Sequence, residues 1–169
     1  MPVDESQQEA HLRQENKRAG IGSPPLLDFM RAIIGNLGEG TYAVNRAGQV
    51  TFMNPAAERM LGWTEDELLG KDMHETIHFQ RADGTPFPKE QCPLLGVIHS
   101  GAAMRVDEDL FTRKDGSTIP VTYVSSPLLT DGAVQGAVVA FQDISERKQL
   151  EEALRRWFVP TLDESVADA

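Results

Sequence analysis

Apolar positions fall into three kinds of spacing along this chain, and each kind marks a different element. Leu26, Met30, Ile33 and Leu37 recur at intervals of four, three and four, with Phe29 and Ile34 beside them. This is the stripe of an amphipathic helix, with Ser23 placed to cap it and Pro24 at its first position. Strand-like runs follow. Asn45-Arg46-Ala47-Gly48 separates Thr41–Val44 from Val50–Met53, Lys114-Asp115-Gly116-Ser117 separates Val106–Thr112 from Thr118–Leu129, and Asp131-Gly132 leads into Val134–Phe141. Asp-Gly pairs supply the positive φ of tight hairpins, so antiparallel pairing of five strands is expected.

Between the second and third strands the pattern turns helical. Asn54-Pro55 opens a helix through Ala56, Ala57, Met60 and Leu61, which Gly62 ends. Thr64 and Glu67 form a capping box for a second short helix ending at Leu69-Gly70. After the loop Asp83-Gly84-Thr85-Pro86-Phe87-Pro88, a further helix is expected from about Gln91 to His99, stopped by Gly101. The order defines an α+β domain with its helices gathered on one flank.

Alternation stops at Phe141, and helical spacing begins within three residues. Asp143 is placed to cap this exit helix, with Glu146 completing a capping box. Leu150, Leu154 and Trp157 are spaced four then three, as a coiled-coil seam requires. Glu151–Arg155 and Glu152–Arg156 are favourable i,i+4 pairs. The other reading is a solvated helix lying on its own sheet. The expected organisation is a polar arm over 1–22, a folded domain with its flanking helix over 23–143, an exit helix over 144–159 and an acidic tail over 160–169.

Composition narrows the function. The 169 residues are 40% hydrophobic, enough to build a core, and Cys92 is the single cysteine, so no internal disulfide can form. A reducing, cytoplasmic setting is expected. No apolar run approaches the ~18 residues of a membrane span. A net charge of −10 repels a phosphate backbone, which argues against direct nucleic-acid binding.

Four segments carry a family resemblance. Asn54-Pro55-Ala56-Ala57-Glu58-Arg59-Met60-Leu61-Gly62-Trp63 and Thr64-Glu65-Asp66-Glu67-Leu68-Leu69-Gly70-Lys71 come first. Arg113-Lys114-Asp115-Gly116-Ser117-Thr118-Ile119-Pro120-Val121 and Asp143-Ile144-Ser145-Glu146-Arg147-Lys148 follow. In this order and spacing they resemble the PAS domain, the sensor module of many bacterial signalling proteins, over roughly Leu26 to Arg156. The resemblance implies a five-stranded antiparallel sheet flanked by helices, an interior able to hold a ligand, a homodimer and a regulatory role. It places signal transmission at Asp143, Ile144, Ser145 and Glu146, leading into the seam Leu150, Leu154 and Trp157.

Several residue groups could carry chemistry. His74-Glu75-Thr76-Ile77-His78 is a literal H-E-x-x-H, which on a helix sets two imidazoles on one face for zinc, with the glutamate as general base. The extended protease form fails, because Arg81 and Gly84 stand at its later positions. A zinc-dependent hydrolase is therefore the minor alternative to a module without catalysis. A non-catalytic metal site could draw on His74, His78, Cys92 and His99. Some bacterial PAS domains carry a similar His…His…Asp-Gly-x-Pro-x-Pro…Cys-Pro insert. The plainer account makes the histidines satisfied loop residues and Cys92 a small buried hydrophobe. Flavin fits less well, since Cys92 sits in Gln-Cys-Pro-Leu-Leu rather than the flavin relatives' Asn-Cys-Arg-Phe-Leu. Haem fits less well because His99 lies nearer the Asp115-Gly116 turn than the resemblance to haem-sensing relatives implies for an axial histidine. The cofactor is otherwise open. Tyr42, Phe52, Phe111, Tyr123, Val139 and Phe141 are the candidate lining of an apolar pocket, or plain core. The leading expectation is a sensory module that acts through its exit helix, and a non-sensing dimerisation module is the other.

Overall fold

The computed structural model describes residues 26–158. The polar arm, the Ser23-Pro24 cap and the acidic tail lie outside the described residues. Helix α1 (Leu26–Gly35) belongs to a unit separate from the rest of the chain, which begins at Gly38. Phe29, Met30 and Ile33 are exposed along it and Leu37 just past its end, and the Asn36 side chain closes the helix on the Ala32 carbonyl at 2.7 Å.

The second unit is built on five antiparallel strands. These are β1 (Gly40–Asn45), β2 (Val50–Met53), β3 (Met104–Thr112), β4 (Thr118–Thr130) and β5 (Ala133–Asp143), in the spatial order β2-β1-β5-β4-β3. Helices α2 (Pro55–Leu61), α3 (Glu65–Leu68), α4 (Met73–Ile77) and α5 (Pro93–Ser100) fill the connection from β2 to β3, and α6 (Ser145–Phe158) leaves β5. The expected strands and helices follow the hydrophobic pattern, with ends shifted by one or two residues, and the short helix α4 is additional to them. The fold expected from the sequence is the fold observed.

Local chemistry fixes the helical connection. The Asn54 carboxamide oxygen accepts the Ala57 amide at 2.9 Å as a helix cap and the Thr41 amide of β1 at 2.9 Å. One side chain thereby starts α2 and ties it to the sheet. Gly62 ends α2 at φ 75°, a conformation that costs glycine nothing. The Lys114 amide and the Arg113 guanidinium then bind the carbonyls of Leu61 and Met60, each at 2.9 Å, so the β3–β4 turn satisfies the end of α2.

The core lies between the sheet and α2–α5. Tyr42, Val44, Phe111, Val121, Tyr123, Val139 and Phe141 of the strands meet Ala57, Leu61, Leu68, Ile77 and Val97 of the helices. Phe52 departs from the expected pocket lining. Its backbone partner is Ala43, one residue from the Tyr42–Met53 pair, so it lies on the opposite face of the sheet and is only half-buried. The cause is a register shift between Ala43 and Val44, which turns Val50 and Met53 inward although they are three residues apart.

Candidate functional site

The chemistry-bearing side chains converge where α4 meets β3 and Cys92 leads into α5. Helix α4 is capped by Asp72, whose carboxylate accepts the Glu75 amide at 3.1 Å, and it ends at Ile77 with His78 as its C-cap. His74 and His78 still stand side by side, ring centroids 5.9 Å apart, and both are buried. Glu75 points outward and is exposed, so the carboxylate a hydrolase would need as general base is turned away from both imidazoles.

The loop after α4 folds back over this pair. The Asp83 carboxylate accepts the Thr85 amide and hydroxyl at 2.9 and 2.6 Å, and the Phe87 amide donates to the Phe79 carbonyl at 2.7 Å. Phe87 is thereby set with its ring 4.8 Å from His78 and its carbonyl 2.8 Å from His74 Nε2. A carbonyl only accepts, so His74 carries its proton on Nε2 and presents Nδ1 as a bare lone pair. That Nδ1 is buried and has no hydrogen-bond partner. Burial holds the His74 imidazole below its ordinary pKa.

Cys92 opens α5 without capping it, and its sulfur lies 3.2 Å from His78 Nδ1. The other nitrogen of His78, Nε2, lies 2.9 Å from the Asp109 carboxylate on β3. Burial pulls the His78 pKa down, but the hydrogen bonds to Asp109 and Cys92 outweigh it and hold it up at about 9. Burial likewise raises Asp109, and the His78 contact more than reverses this. The Tyr123 hydroxyl also donates to Asp109, at 3.0 Å, while the Tyr42 hydroxyl is buried with no partner. Burial, then the nearby Cys92 and Asp109, push the Tyr42 phenol well up.

Of the four expected metal ligands, His74, His78 and Cys92 come together, one ligand atom from each within 4.8 Å of the others. His99 does not join them. It is exposed on the last turn of α5, its Nδ1 facing the Leu95 carbonyl at 3.1 Å, and it lines a surface recess of about 190 Å³ that reaches Cys92. Tyr42, Phe111, Tyr123 and Phe141 are together in the core. Phe111 lies 5.6 Å from Tyr123 and 5.2 Å from Phe141, and Tyr42 lies 6.1 Å from Phe141.

The exit differs from expectation in one bond. Asp143 accepts the Ser145 amide at 2.8 Å and the Ser145 hydroxyl at 2.5 Å, in place of a capping box closed by Glu146. Its second oxygen faces Arg113 at 3.6 Å, and the buried Ile144 donates its amide to the Pro120 carbonyl at 2.9 Å. Leu150, Leu154 and Trp157 are exposed.

Asp109 and its neighbours were not singled out from the sequence. The β3–β4 register shifts between Val106 and Asp109, leaving Asp107-Glu108 as a bulge opposite Thr122, with Asp109 the first residue paired again, to Val121. Asp109 turns in to His78. Glu108 pairs with Lys148 of α6, and the Asp107 carbonyl accepts from Arg147 at 3.4 Å. The only signal in the sequence is three consecutive acids inside a strand, which break its alternation.

Five antiparallel strands in the order β2-β1-β5-β4-β3, with four short helices in the β2–β3 connection, define a small α+β domain. The family model for the PAS fold matches residues 28–144, and the chain belongs to that family, as a sensory module of signal transduction. It is 34% identical over 116 residues to a probable diguanylate cyclase, DgcE, of Escherichia coli K12, covering 68% of this chain and 10% of the relative. It is 32% identical over 123 residues to the signal transduction histidine-protein kinase AtoS of the same organism, covering 72% of this chain and 19% of the relative. The chain thus spans a tenth to a fifth of the length of these curated relatives. A PAS domain from Colwellia psychrerythraea shares the fold at a TM-score of 0.59 with 14% identity, covering 73% of this chain and all of that one (100%). No helix among the described residues is long and apolar enough to cross a membrane.

Proposed function

We propose that this domain is the input element of a cytoplasmic signalling protein, a homodimer without catalysis of its own, sensing at the buried group of His74, His78, Cys92 and Asp109. The output is carried by α6, into an effector of the kind named in the relatives, a diguanylate cyclase or a histidine kinase. One observation carries this reading: three consecutive residues of β3, the bulged pair Asp107-Glu108 and the adjoining Asp109, touch both ends of the route. Asp109 binds His78 at 2.9 Å, while Glu108 and Asp107 hold Lys148 and Arg147 on the first turns of α6. Bulged strands bend locally, so a change in what His78 requires of Asp109 is passed to the residues that seat the exit helix. The outward Glu75 speaks against the hydrolase reading.

Hydrogen–deuterium exchange on the wild-type chain and Asp109→Asn tests the route. The variant should exchange faster in the β3 bulge and across residues 145–151 of α6. Faster exchange confined to α4, with α6 unchanged, would remove the coupling and leave only a packed core.

A further inference from the structure

We propose that His74, His78 and Cys92 are the ligands of a transition-metal ion of borderline softness, with zinc the ion this donor set suits best, bound through Nδ1 of each imidazole and the Cys92 thiolate. The donor orientation is the first ground. His74 Nε2 is held by the Phe87 carbonyl at 2.8 Å and His78 Nε2 by the Asp109 carboxylate at 2.9 Å. Metal-bound histidines are held in this way, with the distal N–H on a carbonyl or carboxylate that fixes tautomer and ring angle.

The second ground is the His74 Nδ1 lone pair. A hydrogen bond between His78 and Cys92 accounts for those two residues and leaves this nitrogen buried, unpartnered and 5% exposed as a residue. Buried polar atoms without partners are rare in folded proteins and call for a cause. An ion between the three side chains supplies one.

Dimensions and charge agree. Tetrahedral zinc, with bonds of about 2.0–2.3 Å to nitrogen and sulfur, sets its ligand atoms roughly 3.3–3.7 Å apart. His78 Nδ1 already lies 3.2 Å from the Cys92 sulfur, and one ligand atom of each of the three residues lies within 4.8 Å of the others, so about 1 Å of side-chain adjustment closes the set. A dication with one thiolate and the Asp109 carboxylate sums to no net charge, which a buried site requires. Three protein ligands leave a fourth position for a small molecule, as in open zinc sites. The recess that reaches Cys92 gives a path inward.

The site is a deepening of the sensing group proposed above, but binding is measured without any output. The full chain, stripped with chelator, is titrated with Co²⁺ and followed by thiolate-to-cobalt charge-transfer absorption, then competed with Zn²⁺. Native mass spectrometry counts the ions. One ion per chain is expected, with the charge-transfer band lost in Cys92→Ser and affinity at least about tenfold weaker in His74→Gln. Asp109→Asn, which touches no metal, should weaken binding by roughly 10–100-fold. His99→Ala, whose ring faces the Leu95 carbonyl and stands apart from the cluster, should bind as wild type does. Near-UV circular dichroism of each metal-free variant confirms folding, and Leu95→Ile, which changes packing beside the cluster without adding a donor, controls for repacking. Absence of stoichiometric binding to the wild type, or a band that survives Cys92→Ser, overturns the site. The exchange experiment on α6 runs without added metal, so that result would leave the β3 route standing.

Discussion

The Asp109 carboxylate of β3 accepts hydrogen bonds from two buried side chains at once, His78 Nε2 at 2.9 Å and the Tyr123 hydroxyl at 3.0 Å. Removing the carboxylate leaves both donors inside the protein with nothing to bind. Asp109→Ala should therefore destabilise the domain by about 1–3 kcal/mol for each orphaned donor, read from urea denaturation midpoints at constant slope. Tyr123→Phe removes one donor together with its need, and should cost less. Equal losses in the two variants would mean that the Asp109–His78 bond contributes nothing.

The Glu67–Lys114 pair gives a pH dependence with a defined sign. A hydrogen bond from Lys114 at 2.5 Å, with the Thr64 amide behind it, holds the Glu67 carboxyl down at about 2 from an ordinary 4.5. A depressed folded-state pKa contributes stability above the unfolded value and loses it as pH falls through the folded one. Glu67→Gln should lower the melting temperature at pH 6 and converge on wild type between about pH 4.5 and pH 2. The group is exposed, so the effect is small and weakens with salt. A gap between the two melting curves that is constant from pH 6 to pH 2 would assign the loss to the helix cap alone.

Glycine positions separate close approach from mere helix propensity. A Cβ at Gly136 of β5 would lie 2.0 Å from the Val44 carbonyl oxygen of β1, where only backbone stands in the way. Gly136→Ala should destabilise by about 1–3 kcal/mol or more, since β1 is paired on both sides and cannot retreat. Gly96, within α5, has nothing inside 4 Å of its Cβ position. Gly96→Ala should stabilise, by about 0.5–1 kcal/mol. Denaturation midpoints that move in the same direction for both would contradict the packing.

These cases also show what could be read from the sequence. Turns were legible because their chemistry is local: Asp115-Gly116 and Gly62 need positive φ whatever surrounds them, and the structure sets those glycines at 83° and 75°. Phe52 and Asp109 were not, and for one reason. Each sits beside a bulge, and a bulge reverses which face a strand residue occupies. Regular alternation puts Val50 and Phe52 on one face, whereas the shift at Ala43/Val44 turns Val50 inward and Phe52 outward. Counting back from Phe111 points Asp109 inward, but counting forward from Val106 points Glu108 inward. Only the shift between them decides in favour of Asp109. The His78–Cys92 contact spans fourteen residues and depends on a loop fold that no periodicity encodes.

The exit helix offers the last prediction. Leu150, Leu154 and Trp157 are 62%, 48% and 85% exposed, on a helix whose other positions are almost all charged or polar. Spacing of four then three sets these residues on one stripe, and a stripe of this kind is buried by a matching helix. If two copies of α6 pair, Leu150→Glu with Leu154→Glu places like charges across the seam, and sedimentation equilibrium should show a shift from dimer to monomer with at least tenfold weaker association. Secondary structure should be retained, because the side chains replaced have no place in the core of the single chain. A variant that remains dimeric would move the contact away from α6, and the coupling from β3 would then have to act on α6 within one chain, through Lys148 and Arg147, rather than on the angle between two helices.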